Sequence, residues 1–260
     1  MAYAKKSLGQ NFLHFPKATN RIVDIVREKN IPVIIEIGPG KGALTGPLLE
    51  KTDVTIYAVE LDPRMCDILT EKFSEYIASK RLVIVHQDIL EKNASDIIGN
   101  QTYGLVGNVP FYITGAIIKK FLTESCQPNY MTLITQKEVA DRIVKRDSKE
   151  SILSLSVQIF GTPKYEMKIP RKYFTPAPNV DAALFSIHGI SRKNLTGMSE
   201  ERFFELVRLG FAHKRKKLAS NIKGFFDQPI GDIFKRHNLD SNIRAEEVRL
   251  ATWMRLAAEN

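Results

Sequence analysis

Two cysteines, one tryptophan and no long apolar run in 260 residues each exclude something. Cys66 and Cys126 lie far apart with no histidine at metal-ligand spacing, so neither a disulfide framework nor a zinc site is expected; free thiols fit a reducing cytoplasm. The five histidines are scattered and none has a visible partner. Apolar stretches such as Ile31-Pro32-Val33-Ile34-Ile35 are far too short to span a bilayer. Gln10 and Asn11 interrupt the basic N-terminus before the apolar core of a signal peptide develops. Repeats and low-complexity runs are missing too. What is present, 43% hydrophobic and 26% charged residues, is the composition of a soluble globular chain, long enough for one large or two modest domains.

The formal charge of +9 is unevenly placed. Residues 1–29 hold six Lys/Arg against two Asp/Glu, residues 189–260 hold fourteen against nine, and residues 30–188 balance at eighteen each. A neutral body with two basic ends suits a phosphate-bearing partner gripped from its edges, although a generally basic surface would give the same totals.

Apolar runs at 33–37, 54–60, 82–88, 103–109 and 131–136 read as strands. Helical patterns at 16–30, from about 44, at 63–76, 113–122, 138–145 and 152–160 separate or flank them, and 182–187 reads as a late strand closing the sheet. This alternation predicts a doubly wound α/β sheet, whose ligands bind at the carboxyl ends of the strands. Gly38, Glu60, Asp88 and Asn108 all fall at such ends. After about residue 188 the pattern changes to helices at 199–222, 230–237 and 245–258. The expected organisation is a catalytic domain over 1–188, with a basic segment 1–29, and a small all-helical domain over 189–260.

Gly38-Pro39-Gly40-Lys41-Gly42 is a Gly-rich turn between strand and helix. It lacks the Gly-Lys-Ser/Thr ending of a P-loop and the spacing of a dinucleotide fingerprint. Glu60, 22 residues after Gly38, stands where an acid accepts hydrogen bonds from ribose hydroxyls, or where a surface carboxylate would be unremarkable. Asp88 is placed to accept from an adenine amino group, or to cap a helix. Gly107-Asn108-Val109-Pro110-Phe111 ends the fourth strand. As a turn it is ordinary. As a holder for a flat aromatic amine it offers the Asn108 carbonyl, backbone carbonyls before and at Pro110, a turn stiffened by Pro110 and a ring at Phe111 for stacking.

Glycine turn, two strand-end acids and a strand-end amide together resemble a class I S-adenosylmethionine-dependent methyltransferase over roughly residues 30–140. In such enzymes Asn/Asp-Pro-Pro-aromatic motifs and their relatives mark transfer to amines conjugated to a ring or carbonyl. An adenine N6 lends its lone pair to the ring and is a poor nucleophile. Acceptors on both N–H bonds favour a more pyramidal nitrogen aimed at a methyl group about 3 Å away. The base must be flipped out or already unpaired to reach them. No strong general base is needed, because the nitrogen becomes acidic once methylated.

Four motifs, in order, narrow the resemblance: Ser7-Leu8-Gly9-Gln10-Asn11-Phe12-Leu13, Asn108-Val109-Pro110-Phe111, Phe174-Thr175-Pro176-Ala177-Pro178-Asn179-Val180-Asp181, and Phe211-Ala212-His213-Lys214-Arg215-Lys216-Lys217-Leu218. Together they resemble the rRNA adenine N6-dimethyltransferase family, with the first and last closest to its small-subunit group. The resemblance implies that Asn11, Leu13, Gly38, Glu60, Asp88 and Asn108 hold S-adenosylmethionine, Asn11 and Leu13 through their backbone. It implies that Asn108, Pro110 and Phe111 present the target amine, that Phe174 adds a stacking face, and that Lys214, Arg215, Lys216 and Lys217 meet RNA phosphates on a helix. The implied substrate is a pair of adjacent adenosines in a hairpin loop near the 3′ end of small-subunit rRNA, and the implied partner an immature small subunit met by a monomer. A large-subunit target, or a non-catalytic RNA-binding assembly factor, stays open. Val109 and Phe111 stand where the small-subunit group more often has Leu and Tyr. Tyr112 replaces its usual Asn, a change without an account at the level of sequence.

Overall fold

A computed structural model describes residues 5, 8–145 and 147–259. The chain divides into two compact units, Met1–Ala140 with Pro163–Ile190, and Asp141–Thr162 with Ser191–Asn260. The second unit thus includes a helical excursion, 141–162, that the charge and strand pattern assigned to the first domain. The other boundary falls between 190 and 191 rather than between 188 and 189.

The first unit begins with β1 (Phe12–Leu13) and α1 (Pro16–Lys29). Then β2 (Val33–Ile37), α2 (Thr45–Lys51), β3 (Thr55–Glu60), α3 (Pro63–Lys72), α4 (Ser74–Ala78), β4 (Leu82–His86), α5 (Ala94–Ile98), β5 (Tyr103–Asn108), α6 (Thr114–Thr123), β6 (Tyr130–Gln136) and α7 (Lys137–Ile143) alternate. After α8 (Ile152–Gln158), which belongs to the second unit, come β7 (Thr162–Ile169), β8 (Phe174–Thr175) and β9 (Ala182–His188). The main sheet runs β4-β3-β2-β5-β6-β9-β7. Its strands from β4 to β6 are parallel, and β9 is antiparallel to β6. Every residue of β2 is buried, as a central strand covered on both faces requires.

β7 is absent from the sequence reading. It carries Pro163 and three charged residues and lies at the sheet edge, where half-exposed strands lose the apolar signature. β1 pairs with β8 in a separate two-stranded sheet, Phe12 opposite Thr175 and Leu13 opposite Phe174. No helix among the described residues is long and apolar enough to cross a membrane.

In the second unit, α9 (Glu200–Gly210) starts at Ser199, whose side chain accepts from the Arg202 N–H. α10 (Leu218–Ile222), α11 (Ile230–Arg236) and α12 (Leu250–Ala257) follow. Phe203, Leu206, Leu218, Ile222 and Trp253 are its fully buried centre. The single helix expected over 199–222 is in fact two. The chain leaves α9 so that the Phe211 ring stacks on Trp253 at 5.9 Å, and Asn221 donates to the Gly210 carbonyl at 2.6 Å. Lys214, Arg215, Lys216 and Lys217 therefore stand on the exposed connection between two helices, not on a helix face.

Register sets the function-bearing edge. β2 lies between β3 and β5, with Ile37 level with Val59 on one side and Gly107 on the other. A Cβ on Gly107 would sit 2.6 Å from the Ile37 carbonyl oxygen, backbone that both flanking ladders hold in place. Gly107→Ala is expected to destabilise the protein by about 2 kcal/mol or more through overpacking. Chemical denaturation checks this; an unchanged midpoint would show that the strands can part there.

Candidate active site

Strand order reverses between β2 and β5, and a cavity of about 350 Å³ opens there at the carboxyl ends of the strands. Asn11, Leu13, Gly38, Glu60, Asp88, Asn108, Pro110 and Phe111 all line it. Eight positions chosen from separated stretches of sequence thus meet in one place. Phe174 does not. Its ring is 2% exposed in the hydrophobic core, so it has no face to offer a base; Thr175 beside it lines the cavity instead.

Glu60 is 6% exposed and holds the glycine turn to its own strand end. Its Oε2 accepts from the Gly40 N–H at 3.1 Å, and its Oε1 accepts from the N–H groups of Leu61 and Asp62, each at 2.9 Å. Burial pushes its carboxyl pKa up, against those three bonds. A carboxylate has about four lone-pair sites, so one on Oε2 remains for a ligand hydroxyl. Asp88 Oδ1 accepts from the Leu90 N–H at 2.8 Å, closing a turn rather than capping a helix, and Oδ2 has no partner among the described residues.

The N-terminal segment forms another wall. Asp62, its side chain fully buried, accepts from Gln10 Nε2 at 3.0 Å and pairs with Lys5 at 3.7 Å. The Arg64 guanidinium hydrogen-bonded to it, with Gln10 assisting, holds the Asp62 carboxyl well below the usual carboxylate range. The Phe12 ring lies against Gly40, with the Lys41 ammonium 4.9 Å from its centre. His14 N–H donates to the Tyr173 carbonyl at 2.9 Å, and Phe15 stacks on Tyr173 at 4.1 Å. Neither the Asp62–Gln10 bond nor the pairing of β1 with β8 had a sequence signal, since both join residues with no shared periodicity.

Asn108 donates from Nδ2 to the Asn11 carbonyl at 2.9 Å. This bond assigns the amide orientation and leaves Oδ1, with no partner among the described residues, as an acceptor at the cavity. Pro110, at φ −55° and ψ 131°, stiffens the turn as expected. Its carbonyl, however, accepts from the Ile113 N–H at 3.2 Å and the Thr114 hydroxyl at 3.4 Å. Of the two backbone carbonyls considered, the Pro110 oxygen is engaged in the turn, and the Val109 oxygen receives no such turn bond among the described residues. Phe111 is half-buried against the core, which fixes its ring at the cavity wall.

Residues 1–260 match the ribosomal RNA adenine dimethylase family. The chain belongs to that family. Ribosomal RNA small subunit methyltransferase A of Dehalococcoides mccartyi is 36% identical over 98% of this chain and 88% of that protein. By structure, the 23S rRNA methyltransferase ErmE superposes with a TM-score of 0.77 at 24% identity, over 95% of this chain and 98% of that one. A dimethyladenosine transferase from Plasmodium falciparum gives 0.78 at 20% identity, over 94% and 95%. Both structural likenesses are of fold, the Rossmann-like methyltransferase sheet.

Within this family frame, one acid escaped the sequence reading as a site residue. Glu36 is 1% exposed in β2, lines the cavity and accepts from the Thr45 hydroxyl at 2.8 Å. Its signal was there: a lone carboxylate inside an otherwise apolar buried strand. Burial, with the nearby Glu60 adding to it, pushes its pKa up to about 8, against the Thr45 hydrogen bond. A carboxyl whose folded pKa lies above its unfolded value stabilises the fold fully at low pH and loses that contribution as pH rises to the folded value. Thermal midpoints should fall between about pH 5 and pH 8, with the Glu36→Gln variant showing a shallower fall. Equal slopes for the two proteins would mean that Glu36 is already ionised across that range.

Proposed function

We propose that the chain dimethylates the N6 amines of two adjacent adenosines in a hairpin loop near the 3′ end of small-subunit rRNA, with S-adenosylmethionine as donor. Family membership over the whole chain carries the reaction class, and relatives named small subunit methyltransferases favour the small ribosomal subunit. The single observation that carries the chemistry is the Asn108 amide, tied by Nδ2 to Asn11 so that Oδ1 is kept as an acceptor at the end of β5.

The cavity suits the donor. Glu60 Oε2 has a lone-pair site for a ribose hydroxyl, Asp88 Oδ2 one for an amino group, and the Gly38–Gly40 turn brings backbone close to the ligand. When bound, S-adenosylmethionine supplies an activated methyl group. The chain's own residues do the rest. In the first transfer Asn108 Oδ1 and the Val109 carbonyl accept the two N–H bonds of adenine N6, drawing its lone pair away from the ring; in the second, one of them accepts the single N–H that remains. Phe111 stacks on the base and Pro110 fixes the turn that aligns the two acceptors. Proton loss follows methylation to bulk water, so no carboxylate serves as base; Glu36 and Glu60, both with pKa values pushed up by burial, shape the donor pocket.

In the second unit, Lys214 and Lys216 border a cavity of about 250 Å³ with Arg142, Lys149 and Phe211, while Arg215 and Lys217 stand outside it. All four cations of the run are exposed and give the unit its RNA-phosphate surface. The unit acts in binding rather than in chemistry.

Incubation with labelled donor and undermethylated subunits tests the reading: label should appear as dimethyladenosine in small subunits. Label confined to large subunits would sink the small-subunit assignment, and no label in either would favour an assembly factor. Asn108→Ala should lower transfer by about a hundred- to a thousandfold, the range seen when a preorganised hydrogen-bonding group is removed, while RNA retention on filters stays. Retained turnover would remove Asn108 from its role.

A further inference from the structure

Tyr112 follows the amine-holding turn and borders the same cavity. The residue is 67% exposed, and no other described Phe, Tyr or Trp is exposed. Its hydroxyl makes no hydrogen bond to any described residue, so the ring is not held there by a polar anchor. One edge is nevertheless seated. A Cβ on Gly9 would lie 2.9 Å from Tyr112 Cε1 and 3.1 Å from Cδ1, and Gly9 takes a φ of +60°, which favours glycine. The backbone has thus been brought in under the ring edge, and the residue is otherwise exposed at the border of the cavity.

We infer that Tyr112 is the stacking platform for the nucleotide next to the adenosine in the pocket, and so favours a substrate in which that neighbour is unpaired. This rests on the proposed RNA substrate. An unpaired base drawn into the cavity leaves its neighbour without a stacking partner on that side, and an exposed aromatic ring one residue beyond Phe111 replaces it. Stacking reads no base edge, so the ring selects for an unpaired neighbour rather than for a particular sequence. The same ring could instead serve only to hold the Gly9 turn, and the two roles part experimentally.

Tyr112→Leu keeps an apolar side chain over Gly9 and removes the flat face. With labelled donor and whichever undermethylated subunit the wild type methylates, Tyr112→Leu should raise KM for the subunit by about tenfold with kcat within about twofold, and Tyr112→Phe should restore KM. Affinity for S-adenosylhomocysteine, measured by calorimetry, should stay within about twofold in both variants. An unchanged KM in Tyr112→Leu overturns the platform, as does a parallel loss of S-adenosylhomocysteine affinity, which assigns the ring to holding Gly9. Wild-type transfer to large subunits alone overturns the small-subunit reading and leaves this comparison intact. Transfer to neither subunit overturns both.

Discussion

The hydrogen bond from Asn108 Nδ2 to the Asn11 carbonyl joins two segments 97 positions apart and decides which atom of the amide faces a ligand. Much of the first unit serves to keep that bond in place. Parallel pairing of β2, β3 and β5 brings Asn108 level with the glycine turn and the Glu60 strand end. Asp62, buried and held ionised by Arg64 and Gln10, anchors the segment that carries Asn11. The β1–β8 pair and the Phe15–Tyr173 stack secure that segment from its other side. An amide free to rotate would present an N–H as readily as a carbonyl, and only the carbonyl can draw on an amine.

Electrostatics divides the same way as the packing. Around the cavity the acids are buried and raised in pKa, Glu36 and Glu60, or held as turn caps, Asp88, so the pocket works through fixed acceptors rather than through mobile charge. The cation run of 214–217 sits instead on an exposed connection in the second unit, where its charges stay solvated. The proposed reading thus puts the chemistry in the first unit, at a cavity walled by buried acids, and the RNA grip in the second, on an exposed basic connection.

The sequence by itself determined the central strands, because burial on both faces leaves an unbroken apolar run, and it determined their carboxyl ends, because Gly38, Glu60 and Asn108 each interrupt such a run. It also carried the four motifs that mark the family. The single helix read over 199–222 passed over Gly210, a helix-stop residue followed by the charged run His213–Lys217; the chain leaves the helix there as Phe211 turns to Trp253 and Asn221 reaches back to Gly210. Phe174 misled because a motif gives a residue's neighbourhood but not the direction of its ring. Which carbonyl near Pro110 the turn engages, what Asp62 grips and where the Tyr112 ring lies were decided only by the tertiary structure. Each depends on a hydrogen bond or a contact between residues far apart in the chain or across a turn, and no local pattern encodes the geometry of such a pair.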